Sequence, residues 1–160
     1  AGTENLPAIV GLGKAIELAV TDMPARNTRI QSLRDRLIEG IMSNVDNTLL
    51  NGHPTRRLPG NVNFSFEFIE GESLLLSLDI KGIAGSSGSA CTSGSLDPSH
   101  VLLAIGLPHE TAHGSLRLTL GDQNTEEEVD YVLEVLPQVV QRLREMSPLF
   151  NQQEGGKTYV

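Results

Sequence analysis

Cys91 is the single cysteine among 160 residues, and its surroundings favour chemistry over packing. A lone cysteine is most often a small, inert, buried apolar residue. Here it stands in the segment 85–95, GSSGSACTSGS, where eight of eleven residues are Gly or Ser. Such a composition buries little and is expected to form a mobile loop. The thiol is then accessible, and a nucleophile that must visit two partners gains a flexible tether. No Lys or Arg lies within several residues, so thiolate formation depends on charges supplied by the rest of the fold or by a substrate.

Arg117 is the second candidate. It alternates with Leu116, Leu118 and Leu120, which turns the guanidinium to the face opposite the leucines. There it is able to grip a carboxylate in a two-pronged contact, or simply to be solvated. Gly2-Thr3 is the third. A hydroxyl beside a glycine, just ahead of a helix, suits a phosphate, and equally suits a plain helix cap. The histidines are His53, His100, His109 and His113. His109 and His113 share helical spacing, but only Glu110 accompanies them, and Pro108 and Gly114 argue against a regular helix there, so no metal site is expected. A Cys91–His113 catalytic pair stays open, since such pairs meet in space and not in sequence.

The elements that must position these residues read as an α+β domain, a small and mainly antiparallel sheet covered by helices. Residues 7–20 have Ile9, Leu12, Ile16 and Ala19 at helical spacing. After Pro24 a second helix, near 24–44, carries the stripe Ile30, Leu33, Leu37, Ile38 and Ile41. Residues 47–61 are irregular, broken by Asn51-Gly52, Pro54 and Pro59-Gly60. Strict alternation over 62–68 predicts a strand with Val62, Phe64, Phe66 and Phe68 facing the core. Residues 71–80 read as a helix with Leu74, Leu75 and Leu78 inward. Asp97-Pro98 looks like a helix start that Gly106 ends, and 115–120 reads as a second strand. Thr125 followed by Glu128 is a capping-box pattern opening a helix over 125–145, with Pro137 inside it as a kink site.

At the cysteine the sequence SSGSACTSGSLDPSH, residues 86–100, resembles the active-site loop of the NifS and IscS cysteine desulfurases. Residues 1–11, AGTENLPAIVG, are similar to that family's Gly-Thr-Glu-Asn segment, and HGSLRL at 113–118 to its substrate-arginine strand. The loop is closest to the nitrogen-fixation NifS type. The resemblance implies a pyridoxal-phosphate enzyme of fold type I that works as a homodimer. It would convert L-cysteine to L-alanine, leave a persulfide on Cys91 and pass the sulfur to an iron–sulfur cluster scaffold. It implies Arg117 as the holder of the substrate carboxylate and Thr3 as a contact to the cofactor phosphate across the dimer. It divides the chain into a segment 1–23 leading from the cofactor domain, a small C-terminal domain 24–146 carrying the loop 85–95, and a flexible tail 147–160. The Schiff-base lysine of the family belongs upstream of Ala1, and Lys14, Lys81 and Lys157 stand outside that motif. The 160-residue chain alone is therefore expected to be inactive.

Composition narrows the field further. A net charge of −8 with one small basic pair, Arg56–Arg57, disfavours nucleic acid. No apolar run reaches the roughly 20 residues that span a bilayer, and no signal peptide is expected. A single cysteine forms no internal disulfide and suits a reducing compartment, here the cytoplasm. Two other readings compete: a non-enzymatic sulfur-relay or scaffold-binding module that receives sulfur on Cys91, and a hydrolase using Cys91 and His113.

Overall fold

The computed structural model describes residues 2–87, 98–148 and 150. Two helices open the chain, α1 over Leu6–Thr21 and α2 over Met23–Asn44. The strand β1, Thr48–Leu50, is followed by β2, Asn61–Phe66, and α3, Gly71–Asp79. Two one-turn helices, α4 at His100–Ala104 and α5 at His109–His113, precede β3, Ser115–Thr119, and α6, Glu126–Glu145. The sheet is antiparallel throughout, in the order β1-β2-β3. The α+β architecture expected from the sequence is the one observed.

The core lies between one face of this sheet and α2, α3 and α6. Val62, Phe64 and Phe66 of β2 and Leu116 and Leu118 of β3 are all buried. They meet the stripe Leu33, Leu37 and Ile41 of α2, Leu74 and Leu78 of α3, and Leu136 and Val140 of α6. The capping box forms as its sequence demands: Thr125 Oγ1 accepts from Glu128 N, and the Glu128 carboxylate accepts from Thr125 N. α6 continues through Pro137 as one helix.

Four expectations need correction. The alternating strand ends at Phe66. Phe68 adopts φ +69° in the following turn and is half-buried against Phe150, ring centroids 5.8 Å apart, so it does not join the core. The stretch 47–61 contains β1, three residues too short to show a period of two, set up by the left-handed turn at Asn47. The helix after Pro98 starts at His100 with Ser99 as its cap, while Asp97 lies outside the described residues. His109–His113 does form one helical turn, because burial of Ala112 repays it and Ala112 N bonds back to Pro108 O at 2.9 Å.

Arg144 closes the far end of the sheet. It is buried on α6, donating from Nε to Glu67 O at 3.2 Å and from Nη2 to Asn47 O at 3.0 Å. These are the carbonyls of the two turns that flank the β1–β2 pair, and the guanidinium also lies over the Phe150 ring, 5.9 Å from its centroid. Burial lowers the Arg144 pKa, and the charges of Glu67 and Asp46 oppose that shift. Replacing Arg144 by Leu leaves Glu67 O without a donor and takes one of two donors from Asn47 O, which keeps the Glu67 N–H at 3.1 Å. We expect a loss of about 2–3 kcal/mol in urea unfolding, partly recovered by Arg144→Lys. An unchanged midpoint in Arg144→Leu would show that this link is dispensable.

Candidate functional site

Because β3 buries Leu116 and Leu118, Arg117 projects from the opposite face of the sheet and is exposed. Its guanidinium has no hydrogen-bond or ion-pair partner among the described residues. Its backbone, by contrast, is held on both sides. On one side Arg117 is the register partner of Asn63 in β2. On the other, Arg117 N donates to Ser86 O at 2.6 Å and Ser86 N donates to Arg117 O at 3.0 Å. The edge of the sheet is thus extended by one rung, and its residue stands five positions before Cys91 (91 − 86).

The rung continues through the whole sheet. Asn51, just past β1, donates its N–H to Asn63 O at 2.9 Å. Its side-chain amide donates to Asn63 Oδ1 at 2.7 Å and to Ser65 Oγ at 3.0 Å. Ser86, Arg117, Asn63 and Asn51 therefore form one row across the sheet, on the face away from the helices. Asn51 is only 5% exposed, and its Oδ1 has no partner among the described residues. The row is polar, whereas the other face carries Val62, Phe64, Phe66, Leu116 and Leu118 with Thr48 at its end, so the sheet separates a core side from a polar side.

Glycines allow the close approaches that build this region. A Cβ at Gly71 would sit 2.7 Å from His113 O and 3.1 Å from Ser87 Cβ. Gly71 thus lets the start of α3 lie directly against both the entry to β3 and the residue that follows Ser86.

The other sequence-predicted residues fall elsewhere. Cys91 and most of the loop 85–95 lie outside the described residues, as do residues 151–160 of the expected tail. Thr3 is exposed and does not cap α1: the cap is Asn5, whose Oδ1 accepts from Ala8 N at 3.2 Å. α1 buries none of its residues, so nothing in the described fold draws Thr3 toward Arg117. Lys14 is ion-paired to Glu17 at 2.7 Å on the surface of α1. His113 lines an open cleft with Glu70 and Glu110, and its ring lies 4.7 Å from that of His109. Among the described residues no three His, Cys, Asp or Glu side chains gather as a metal set, and no helix is long and apolar enough to cross a membrane. Asn51, Asn63 and Ser86 were missed by sequence reasoning. Asn63 had a visible signal, since it occupies the polar phase of the same alternation that buries Val62 and Phe64, as Arg117 does in its own strand.

Comparison with known proteins bears on this arrangement. Residues 1–132 match the family described as aminotransferase class-V. A protein of Clostridium botulinum named cysteine desulfurase IscS is 65% identical over 152 residues, covering 94% of this chain and 38% of the relative. One of the same name from Methanosarcina thermophila is 64% identical over 149 residues, covering 93% and 37%. Among solved structures, a NifS-like protein superposes with a TM-score of 0.75 at 32% identity, covering 89% of this chain and 35% of that one. A NifS-like protein from Rickettsia africae gives 0.76 at 26% identity, covering 88% and 36%. The chain thus spans well under half the length of the curated relatives it matches.

The pair of backbone hydrogen bonds between Ser86 and Arg117 makes a direct prediction. Both amide protons should exchange with solvent far more slowly than those of exposed backbone. Ser86→Ala should keep this protection, because the rung is made by backbone, whereas Ser86→Pro removes the Ser86 donor and should speed exchange at Arg117. Fast exchange at both positions in the unaltered protein would exclude the rung.

Proposed function

The chain belongs to the class-V aminotransferase family, and on that premise we propose that it is the C-terminal part of a cysteine desulfurase that receives sulfur on Cys91. The observation that carries this reading is the rung. An unpartnered guanidinium stands on the polar face of the sheet, and its own backbone anchors the chain five residues ahead of the single thiol. Five residues reach at most about 17 Å, a span that would let Cys91 meet whatever Arg117 holds.

In this reading Arg117 takes the α-carboxylate of L-cysteine by a two-pronged, charge-assisted contact. The Cys91 thiolate attacks the substrate sulfur. The S–S bond forms, the Cβ–S bond breaks, and the carbon end is reduced to the methyl group of alanine. The balance is Cys91 thiol plus L-cysteine giving Cys91 persulfide plus L-alanine, with no external oxidant or reductant. Pyridoxal phosphate, when bound, supplies the electron sink that makes Cβ–S cleavage accessible. Within this chain Thr3 would hold part of the cofactor phosphate, a reading supported by its exposure and by the open space beside Gly2. The lysine and remaining ligands belong to the upstream part of the protein.

The segment 1–23 leads from that upstream part, 24–146 is the small domain with the loop 85–95, and 147–160 is its tail. The full-length enzyme is a cytoplasmic homodimer, with Thr3 serving the partner's cofactor. Its persulfide goes to an iron–sulfur scaffold, and the loop sequence supports a nitrogen-fixation type.

In the full-length protein loaded with pyridoxal phosphate, Cys91→Ser should abolish sulfide release while cysteine still binds. Arg117→Ala should weaken cysteine binding roughly 10- to 150-fold, the equivalent of about 1.5–3 kcal/mol for a hydrogen bond to a charged group, and Arg117→Lys should recover only part of it. The 160-residue chain mixed with the free cofactor and cysteine should form no more alanine than the cofactor alone. Full desulfurase activity in Cys91→Ser would overturn the reading.

A further inference from the structure

Arg117 is not the only unoccupied donor on its rung. Asn63 lies between the buried Val62 and Phe64, so its side chain is on the same face as the guanidinium. Asn63 O receives Asn51 N, and both backbone groups of Arg117 turn outward to Ser86. Asn63 and Arg117 are therefore a non-hydrogen-bonded antiparallel pair, the kind in which Cα atoms stand about 4.5 Å apart and side chains are closest.

The orientation of the Asn63 amide is set by its other neighbour. Asn51 Nδ2 donates to Asn63 Oδ1 at 2.7 Å, which consumes the acceptor end and leaves the NH2 end. Asn63 is half-buried, and its NH2 end has no partner among the described residues. Two donors, one charged and one neutral, thus stand side by side with no acceptor between them. An anionic oxygen pair placed over the rung would satisfy both donors at once.

We propose that Asn63 is a substrate-binding residue that donates its amide N–H to the same α-carboxylate that Arg117 grips, with Asn51 as the positioning residue that holds the amide in this orientation. The proposal rests on the desulfurase reading and adds to it a neutral donor that defines where the carboxylate sits along the rung. A long flexible guanidinium side chain fixes a carboxylate less well than a short amide held by its neighbour.

The test uses the full-length, cofactor-loaded protein with Cys91→Ser as background, so that ligand binding is read without turnover. The dissociation constant of L-alanine, which carries the same carboxylate, is measured by calorimetry, and stability by thermal unfolding. Asn63→Ala should weaken L-alanine about 10-fold or more. Asn63→Asp should weaken it further, because a carboxylate then faces the ligand and occupies Arg117. The aspartate still accepts from Asn51, so its unfolding temperature should stay near that of the parent. A purely structural role predicts the reverse order, with Asp tolerated and Ala impaired, and that result would overturn the proposal. Asn63→Ala is also placed on Arg117→Ala: a further loss there supports direct contact, and no further loss means that Asn63 acts only through Arg117, which excludes it. If Arg117→Ala itself leaves L-alanine affinity unchanged, it is the desulfurase reading of the carboxylate site that fails, whatever Asn63 does.

Discussion

The register between β2 and β3 is the constraint on which everything else depends. Side chains alternate along a strand with a period of two, so a slip of one residue would turn Arg117 into the core and Leu116 and Leu118 into solvent. Burial of those leucines with Val62, Phe64 and Phe66 opposes such a slip, each fully buried side chain of this size contributing about 1.5–3 kcal/mol. Glycines at the two ends of the ladder sharpen the constraint. Gly60 faces Leu120 O and Gly114 faces Phe66 O, each so closely that a Cβ would come within 2.1 Å of the carbonyl. Leu120 N and Phe66 N bond back across the same two contacts, at 2.9 and 2.8 Å. The pairing is therefore fixed at both ends by shape and along its length by burial.

One consequence is a division of the sheet into two chemistries. The helices cover the apolar face of β2 and β3, and the polar face keeps Asn51 bonded to Asn63 and Ser65 with Arg117 beside them. α1 is the counterpart of this unfinished face. Its apolar residues Leu6, Ile9, Val10, Leu12, Ile16, Leu18 and Val20 are all more than half exposed, and its solvated stripe is little more than the Lys14–Glu17 pair and Thr21. A helix apolar around most of its circumference is one that a larger structure buries. Relatives of which this chain covers 38% are consistent with that reading of α1.

What was legible in the sequence follows from how local each signal is. The capping box at Thr125 and the stripe of α2 are set by residues three or four apart, and both appear as read. The alternation that buries Val62, Phe64 and Phe66 is equally local. It failed at Phe68 because the chain turns there through φ +69°, a backbone state that a phenylalanine does not announce. β1 is three residues whose strand character comes entirely from pairing with β2. At the site, the outward face of Arg117 was readable from its leucine neighbours. Its pairing with Ser86, 31 residues earlier (117 − 86), was not, because a Gly/Ser segment carries no pattern from which a register can be inferred.

On the proposed reading, the rung also reconciles two opposed requirements in one short segment. A sulfur carrier must meet the substrate in a defined geometry and then reach an acceptor elsewhere. A tether free at both ends would satisfy the second at the expense of the first, since each added residue enlarges the volume over which the thiol is spread. Here the chain leaves the sheet at Ser86 and re-enters the described fold at Pro98, which is buried. Cys91 is five residues from the first anchor and seven from the second (98 − 91), so the nearer anchor, at Arg117, limits its range. The reach of the thiol is bounded by two fixed points, and the tighter of those points is the residue whose guanidinium is available to a carboxylate. Placing the anchor on the binding residue itself ties the thiol to its target by one short span of chain, without a second contact to hold it there.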